Sequence, residues 1–244
     1  MIKVLVLGHN GMLGHMVAKF LRDKGINVYT MEKRWPLNQQ GILTFNGDYI
    51  INCIGAIPQR SKSRCLYDIN WQLPIWLDMH APCKVIHPGT DCEGGNGLYD
   101  MSKNIAGTYI RTLGKQTKSI KTSIIGPELN SNASLLGWFL SKNTEVEGYT
   151  EAIWSGNTTL EWAKQCSGLM LQWDSFEIET ILQSKHISKY ELLNTIKKVF
   201  NMDIKIKPKK AGRNRSMVGH IKTSEIGQQL KELKEYYYDN NRAL

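Results

Sequence analysis

The sequence predicts an α/β chain built on a doubly wound parallel sheet, and three observations carry that expectation. Short apolar runs alternate with stretches of helical period, the pattern of strands covered on both faces by helices. A glycine-rich turn, Gly8-His9-Asn10-Gly11-Met12-Leu13-Gly14, stands directly between the first apolar run and the first helical stretch. The composition, 41% hydrophobic and 22% charged over 244 residues, is that of a globular chain able to bury a full core. It sets aside disorder, collagen-like repeats and a disulfide-stapled miniprotein.

Ile2–Leu7 is nearly continuous in apolar residues and ends at Gly8, as a strand buried on both faces would. Met12, Leu13, Met16, Val17, Phe20 and Leu21 then recur on one helical face, and Gly25 sits where the helix should stop. Ile26–Thr30 is the second strand and completes a β-α-β unit. Further strands are expected at Tyr49–Ile54, Lys84–His87 and Lys121–Ile125, with helices over Asn70–Met79, Asp100–Leu113 and Leu135–Leu140. Between the second strand and Tyr49 there is no room for another full strand and helix, so the sheet should be somewhat trimmed. From Gly126 onward the polar connections lengthen. The chain therefore reads as a dinucleotide-binding domain, 1–125, followed by a small C-terminal substrate-binding lobe, 126–244, partly returning to the main sheet.

Composition narrows the partners. No apolar run approaches the roughly 18 residues of a membrane span, and the N-terminus enters a strand without a signal-peptide pattern. The expectation is a cytoplasmic protein with no membrane partner. Five scattered cysteines, Cys53, Cys65, Cys83, Cys92 and Cys166, contain no C-x-x-C pair and read as reduced thiols, with no metal site among them. The net charge of +9 is concentrated near the C-terminus, where eleven Lys or Arg fall between Ser184 and Lys222. There Lys205 and Lys207 alternate with Ile204 and Ile206, as on a half-exposed strand. A solvated face that attracts anionic substrates fits this pattern better than a nucleic-acid surface.

The fingerprint Gly8–Gly14 lies after a strand and before a helix, the context in which such glycines bind a dinucleotide. Gly8 permits the tight turn, Gly11 lets backbone approach a pyrophosphate at the helix N-terminus, and Gly14 lets helix and strand pack closely. Glu32 stands near the position of a ribose ligand, while Lys33 and Arg34 beside it suit a 2′-phosphate, so NADPH is expected with NADH as the alternative. The second constellation is Tyr99-Asp100-Met101-Ser102-Lys103, with Thr90 and Asp91 upstream. Spacing i, i+4 puts Tyr99 and Lys103 on one helical face, and an ammonium near a phenol lowers its pKa towards neutral, suiting it to protonate an alkoxide. Thr90 can hydrogen-bond the same carbonyl oxygen, and Asp91 can orient its neighbours or assist proton delivery.

On these residues the sequence resembles the extended short-chain dehydrogenase/reductases, and among them the dTDP-4-dehydrorhamnose reductase-like enzymes of nucleotide-sugar biosynthesis. The resemblance takes in Gly8–Gly14, Asn52-Cys53-Ile54-Gly55-Ala56, Asn70 and Pro74, Thr90-Asp91-Cys92, Tyr99 to Lys103, Lys121-Thr122-Ser123-Ile124-Ile125-Gly126 and Gly156-Asn157-Thr158-Thr159. It implies a Rossmann-like fold with Tyr99 as general acid, Lys103 as its electrostatic partner and ribose contact, and Thr90 as carbonyl hydrogen-bond donor. It also implies a cofactor groove formed by Gly8, Asn10, Gly11, Met12, Leu13, Gly14, Lys33, Arg34, Cys53, Ile54, Gly55 and Ala56. Thr90, Ser123, Trp154 and Arg215 are the substrate-side candidates. Two departures stand out: eight residues separate Thr90 from Tyr99 where relatives carry a longer insert, and Ile124 follows Thr122-Ser123 where rhamnose-forming members have an aromatic residue.

The expectation is an NADPH-dependent reductase of a nucleotide-linked 4-keto-6-deoxy sugar, in which a homo-oligomer is compatible with the sequence and nucleic acid is not a partner. The alternatives are a non-catalytic dinucleotide-binding regulatory subunit and a nucleotide-sugar epimerase or epimerase-reductase. The last would need a further base near the sugar, and the sequence offers no convincing one.

Overall fold

A computed structural model describes residues 1–239. The first half follows the β-α alternation: β1 (Lys3–Leu7), α1 (Met12–Asp23), β2 (Asn27–Thr30), α2 (Gln39–Leu43), β3 (Tyr49–Asn52), α3 (Ser63–Tyr67), α4 (Leu73–His80), β4 (Lys84–Gly89), α5 (Leu98–Leu113) and β5 (Thr117–Lys121). After it come β6 (Ile124–Ile125), α6 (Leu135–Leu140), β7 (Val146–Tyr149), β8 (Ile153–Trp154), β9 (Asn157–Thr158), α7 (Thr159–Leu171), β10 (Glu179–Gln183), β11 (Ile187–Ser188), α8 (Lys189–Phe200), β12 (Ile206–Lys209), β13 (Ile221–Lys222) and α9 (Ile226–Leu233). The central sheet has seven strands in the order β13-β10-β5-β4-β3-β1-β2. Its edge at β2 carries no further strand, because α2 has only five residues, and this is the trimming that the short interval before Tyr49 implied.

The chain divides into two compact units. The first comprises Met1–Lys121 with Ala163–Thr180, and the second Thr122–Trp162 with the residues from Ile181 onward. The boundary thus falls four residues before Gly126, and residues 163–180, which the sequence assigned to the lobe, go to the first unit. A change of composition marks where connections become polar, whereas packing decides the unit. In the first unit the Tyr49 hydroxyl donates to the Met170 carbonyl at 2.7 Å, and the Tyr49 and Trp173 rings lie 5.7 Å apart.

The β1–β2, β1–β3, β3–β4 and β4–β5 pairs are parallel, Leu5 standing opposite both Tyr29 of β2 and Ile50 of β3. Leu5, Leu7, Ile50, Leu73, Leu77 and Val85 form its apolar centre. α1 ends where expected: Gly25 adopts φ +74°, a left-handed conformation that glycine accepts without strain. The fifth strand departs from the sequence expectation. It is the polar Thr117–Lys121 segment, with Thr117, Ser119 and Ile120 inward, while Ile124–Ile125 forms a separate pair with β9. Three backbone N–H groups, of Lys115, Gln116 and Thr117, donate to the buried Asp78 carboxylate and fix the strand's start. The helix expected over Asn70–Met79 is α4, preceded by a π turn over Asp68–Gln72.

The second unit holds three two-stranded pairs, β6 with β9, β7 with β12 and β8 with β11, together with α6, α8 and α9. Its basic stripe is answered by acid. β12 lies parallel to β7, Lys209 pairs with Glu147 at 2.6 Å, Lys205 with Glu145 at 3.5 Å, and Lys207 also reaches Glu145. No helix is long and apolar enough to cross a membrane among the described residues.

Candidate active site

The first unit carries a groove of about 690 Å³ at the carboxyl ends of β1, β2 and β3. Gly8, His9, Asn10 and Gly11 form one wall, Glu32, Lys33, Arg34, Trp35 and Asn38 another, and Cys53, Ile54, Gly55 and Ala56 the floor. The turn needs its glycines. Gly8 has φ +75°, and a Cβ there would stand 2.9 Å from the Cys53 backbone. At Gly14 a Cβ would stand 2.2 Å from the Gly8 carbonyl oxygen, so only glycine lets α1 start this close to β1. Gly11 is the N-cap of α1, with no side-chain cap and no acidic residue in the first turn, which leaves a positive helix end free for an anion.

These walls fit a dinucleotide. At Gly55 a Cβ would meet nothing within 4 Å, so that backbone is open to a ligand. Asn38, 3% exposed, lines the groove with its Oδ1 unpartnered, and the buried Nδ1 of His9 is likewise unpartnered. Glu32, 82% exposed, is held by His9 Nε2 at 3.1 Å, while Lys33 and Arg34 are exposed on the same rim. Met12, Leu13 and Gly14 do not line the groove: Leu13 and Gly14 are buried, the Leu13 side chain in the core, so this stretch contributes through its backbone at the helix start. Arg60, Ser61, Lys62 and Cys65 border the groove and were not singled out in the sequence, although the alternating basic run Arg60-Ser61-Lys62-Ser63-Arg64 was there to be read.

Thr90, Asp91, Tyr99 and Lys103 come from the end of β4 and the first turns of α5, again within the first unit. Thr90 is the N-cap of a single 3₁₀ turn over Asp91–Gly94. Its hydroxyl donates to Asp91 Oδ1 at 3.1 Å and accepts from the Cys92 N–H at 3.3 Å. The same hydroxyl acts on the Tyr99 phenol, favouring its ionised form. The shortened connection closes on glycines: at Gly95 a Cβ would lie 2.0 Å from Asp100 Oδ2, the carboxylate that accepts from the Gly97 N–H and caps α5.

The electrostatics correct one expectation. Burial pushes the Tyr99 phenol above its ordinary pKa, with Cys92 and Asp91 adding to the rise and the Thr90 hydrogen bond opposing it, so the phenol is not drawn towards neutral. Lys103, 7% exposed, is pushed down to about 8 by burial, while Glu93 and Cys92 favour its charged form. His87 is fully enclosed and stays neutral, its pKa lowered by burial and by the Lys103 charge, and it is hydrogen-bonded to Asn52 at 3.2 Å. Asn70 joins groove and helix. Its side chain accepts from the Ala56 N–H at 3.0 Å, donates to the Ala56 carbonyl at 2.9 Å, and reaches Ser102 at 3.3 Å between Tyr99 and Lys103.

Ser123, Trp154 and Arg215 lie in the second unit, Trp154 in β8, Arg215 bonded to β8 and Ser123 bonded to β9. The Ser123 carbonyl accepts from Asn157 N–H at 2.8 Å, and the Arg215 N–H donates to the Ile153 carbonyl at 2.9 Å. Trp154 is 1% exposed under the Lys189 ammonium, 4.7 Å from the ring. That enclosure makes it a packing residue, correcting the expectation of a sugar contact. Among the described residues no cluster of three or more His, Cys, Asp or Glu is placed to hold a metal ion.

No protein-family model and no curated protein sequence matches the chain. Solved structures do. It is similar to dTDP-4-dehydrorhamnose reductase from Bacillus anthracis, determined in complex with NADP, with TM-score 0.80 and 16% identity over 96% of this chain and 99% of that one. The corresponding reductase from Clostridium acetobutylicum gives TM-score 0.76 and 16% identity over 96% and 99%. dTDP-glucose 4,6-dehydratase from Bacillus anthracis, in complex with NAD, gives 0.74 and 14% over 99% and 98%. These likenesses establish the Rossmann-like α/β fold.

Proposed function

We propose that the chain is an NADPH-dependent reductase of a nucleotide-linked 4-keto-6-deoxy sugar. The observation that carries this reading is the placing together of Thr90, at the end of β4, with Tyr99 and, one helical turn further on, Lys103, at the carboxyl edge of the sheet that also bears a dinucleotide-shaped groove. The similar structures include one determined with NADP and one with NAD, which supports the cofactor class.

NADPH, when bound, supplies the hydride. The chain does the rest. The Gly8–Gly11 turn and the start of α1 would hold the diphosphate, and Lys33 and Arg34 would hold the 2′-phosphate, with His9 paired to Glu32 beside them. Asn70 fixes the Ala56 backbone in the groove where the cofactor would lie. As the sugar carbonyl oxygen gains charge, Tyr99 Oη gives it a proton, and the Thr90 hydroxyl, released from Asp91, donates to the same oxygen. The Lys103 ammonium then steadies the phenolate left behind.

The test is NADPH oxidation against a panel of 4-keto nucleotide sugars, preceded by fluorescence titration of NADPH and NADH. Tighter NADPH binding and turnover of at least one such sugar are expected. Binding without turnover of any of them would leave a regulatory subunit, and a preference for NADH would make Glu32 the ribose ligand.

A further inference from the structure

The turn that carries Thr90 is fastened by a carboxylate that takes no part in proton transfer. Glu93, 6% exposed, accepts the Thr90 N–H on Oε1 at 3.1 Å. Its other oxygen accepts from Lys121 Nζ at 2.6 Å and Arg111 Nη1 at 3.2 Å. Both cations are shared with Glu179, at 3.8 Å from Lys121 and 2.8 Å from Arg111. Two glycines make the space: a Cβ at Gly107 would stand 2.7 Å from Glu93 Oε2, and one at Gly89 3.2 Å from Oε1. Withdrawing a carboxylate from water is costly even when it is paired, and a neutral amide could accept the same Thr90 N–H without the cations. What only the carboxylate brings is charge. The groups acting on the Lys103 ammonium are Glu93 and Cys92, which favour it, while Lys103 in turn acts on the enclosed His87.

We propose that Glu93 is a positioning residue of the reductase site, one oxygen fixing the Thr90 backbone while the carboxylate charge keeps Lys103 in its ammonium form. The proposal rests on the reductase reading of that site. Glu93→Gln separates the two roles, because the amide oxygen can still accept from the Thr90 N–H but carries no charge.

Two measurements are needed: the pH dependence of kcat/KM, and the Lys103 titration followed by NMR of ¹³C-dimethylated lysines, which requires no substrate. Glu93→Gln should move the Lys103 midpoint and the alkaline limb of kcat/KM to lower pH together, by about half a unit or more. Glu93→Asp should restore the limb while lowering kcat, since its shorter arm misplaces the Thr90 anchor. Glu179→Gln, which removes the other carboxylate of the cluster, should lower the melting temperature and leave the limb in place. An unmoved Lys103 midpoint in Glu93→Gln, or an equal shift in Glu179→Gln, overturns the proposal. If Glu93→Gln does not fold, Glu93→Gln combined with Lys121→Gln, which removes a cation along with the carboxylate, is read against Lys121→Gln alone: a lower Lys103 midpoint in the double variant supports the proposal, and an equal one overturns it. A shifted Lys103 midpoint in a protein that reduces no nucleotide sugar would refute the reductase reading and leave the electrostatic role of Glu93 standing.

Discussion

Tyr99 and Lys103 stand one helical turn apart, and burial shifts them in opposite directions: the phenol is held protonated and the ammonium is loosened to about 8. A protonated phenol is what a proton donor must be, so Tyr99→Phe should lower turnover by about 10²–10⁴-fold while leaving NADPH affinity nearly unchanged in a fluorescence titration. Lys103→Ala should impair both. The wild-type rate should fall above about pH 8, as the ammonium is lost. Stability should respond the other way. Because the folded pKa of Lys103 lies below its ordinary 10.5, the unfolded chain binds more protons between the two values, and this residue makes the fold more stable as pH rises through that window. Urea midpoints measured across that range on wild type and Lys103→Met isolate the term. At this scale the sequence showed which residues share a helical face, since i, i+4 spacing puts Tyr99 and Lys103 one turn apart on α5. It did not show the direction of the Tyr99 shift, because desolvation depends on what other segments cover the ring. The same holds for Trp154, whose enclosure no spacing rule reveals.

At the scale of elements, the β1-turn-α1 unit was fully legible, because each fingerprint glycine answers a local steric demand. Gly14→Ala should therefore push α1 off the turn, costing about 1–3 kcal/mol in a denaturant titration and weakening NADPH binding in parallel. Loss of stability with unchanged binding would show that the turn tolerates the displacement. β5 was misread, because its inward residues Thr117 and Ser119 are polar and its start is set by Asp78, far away in sequence. The basic stripe was legible in its alternation and illegible in its pairing, since the glutamates of β7 precede it by some sixty positions. With Glu145, Glu147 and Glu151 paired to Lys205, Lys207, Lys209 and Lys210, the β12 face offers little bare positive field. Random-sequence DNA at physiological ionic strength should bind weakly, and Glu145→Gln with Glu147→Gln should strengthen it. Tight, salt-sensitive binding by the wild type would reverse this.

For the molecule as a whole, a sheet with helices on both sides could be read from the alternation of periods, whereas the two units could not, because each is made of two separate stretches of chain. Residues 163–180 complete the first unit from a distance: Met170 takes the Tyr49 hydroxyl, and the Trp173 ring lies 5.1 Å from the Lys84 ammonium and 5.0 Å from that of Lys118. A fragment ending at residue 125 should then fail to unfold cooperatively and should bind NADPH poorly, while adding a peptide of residues 163–180 in trans should partly restore both. A cooperative, NADPH-binding fragment would show that the return segment is dispensable. The same discontinuity bears on synthesis. The ribosome must deliver 180 of the 244 residues before the first unit has all its parts. Until then the nascent chain emerges with Tyr49 unpartnered on one strand and Lys118 on another, so the cofactor-binding half, although encoded first, is not finished first.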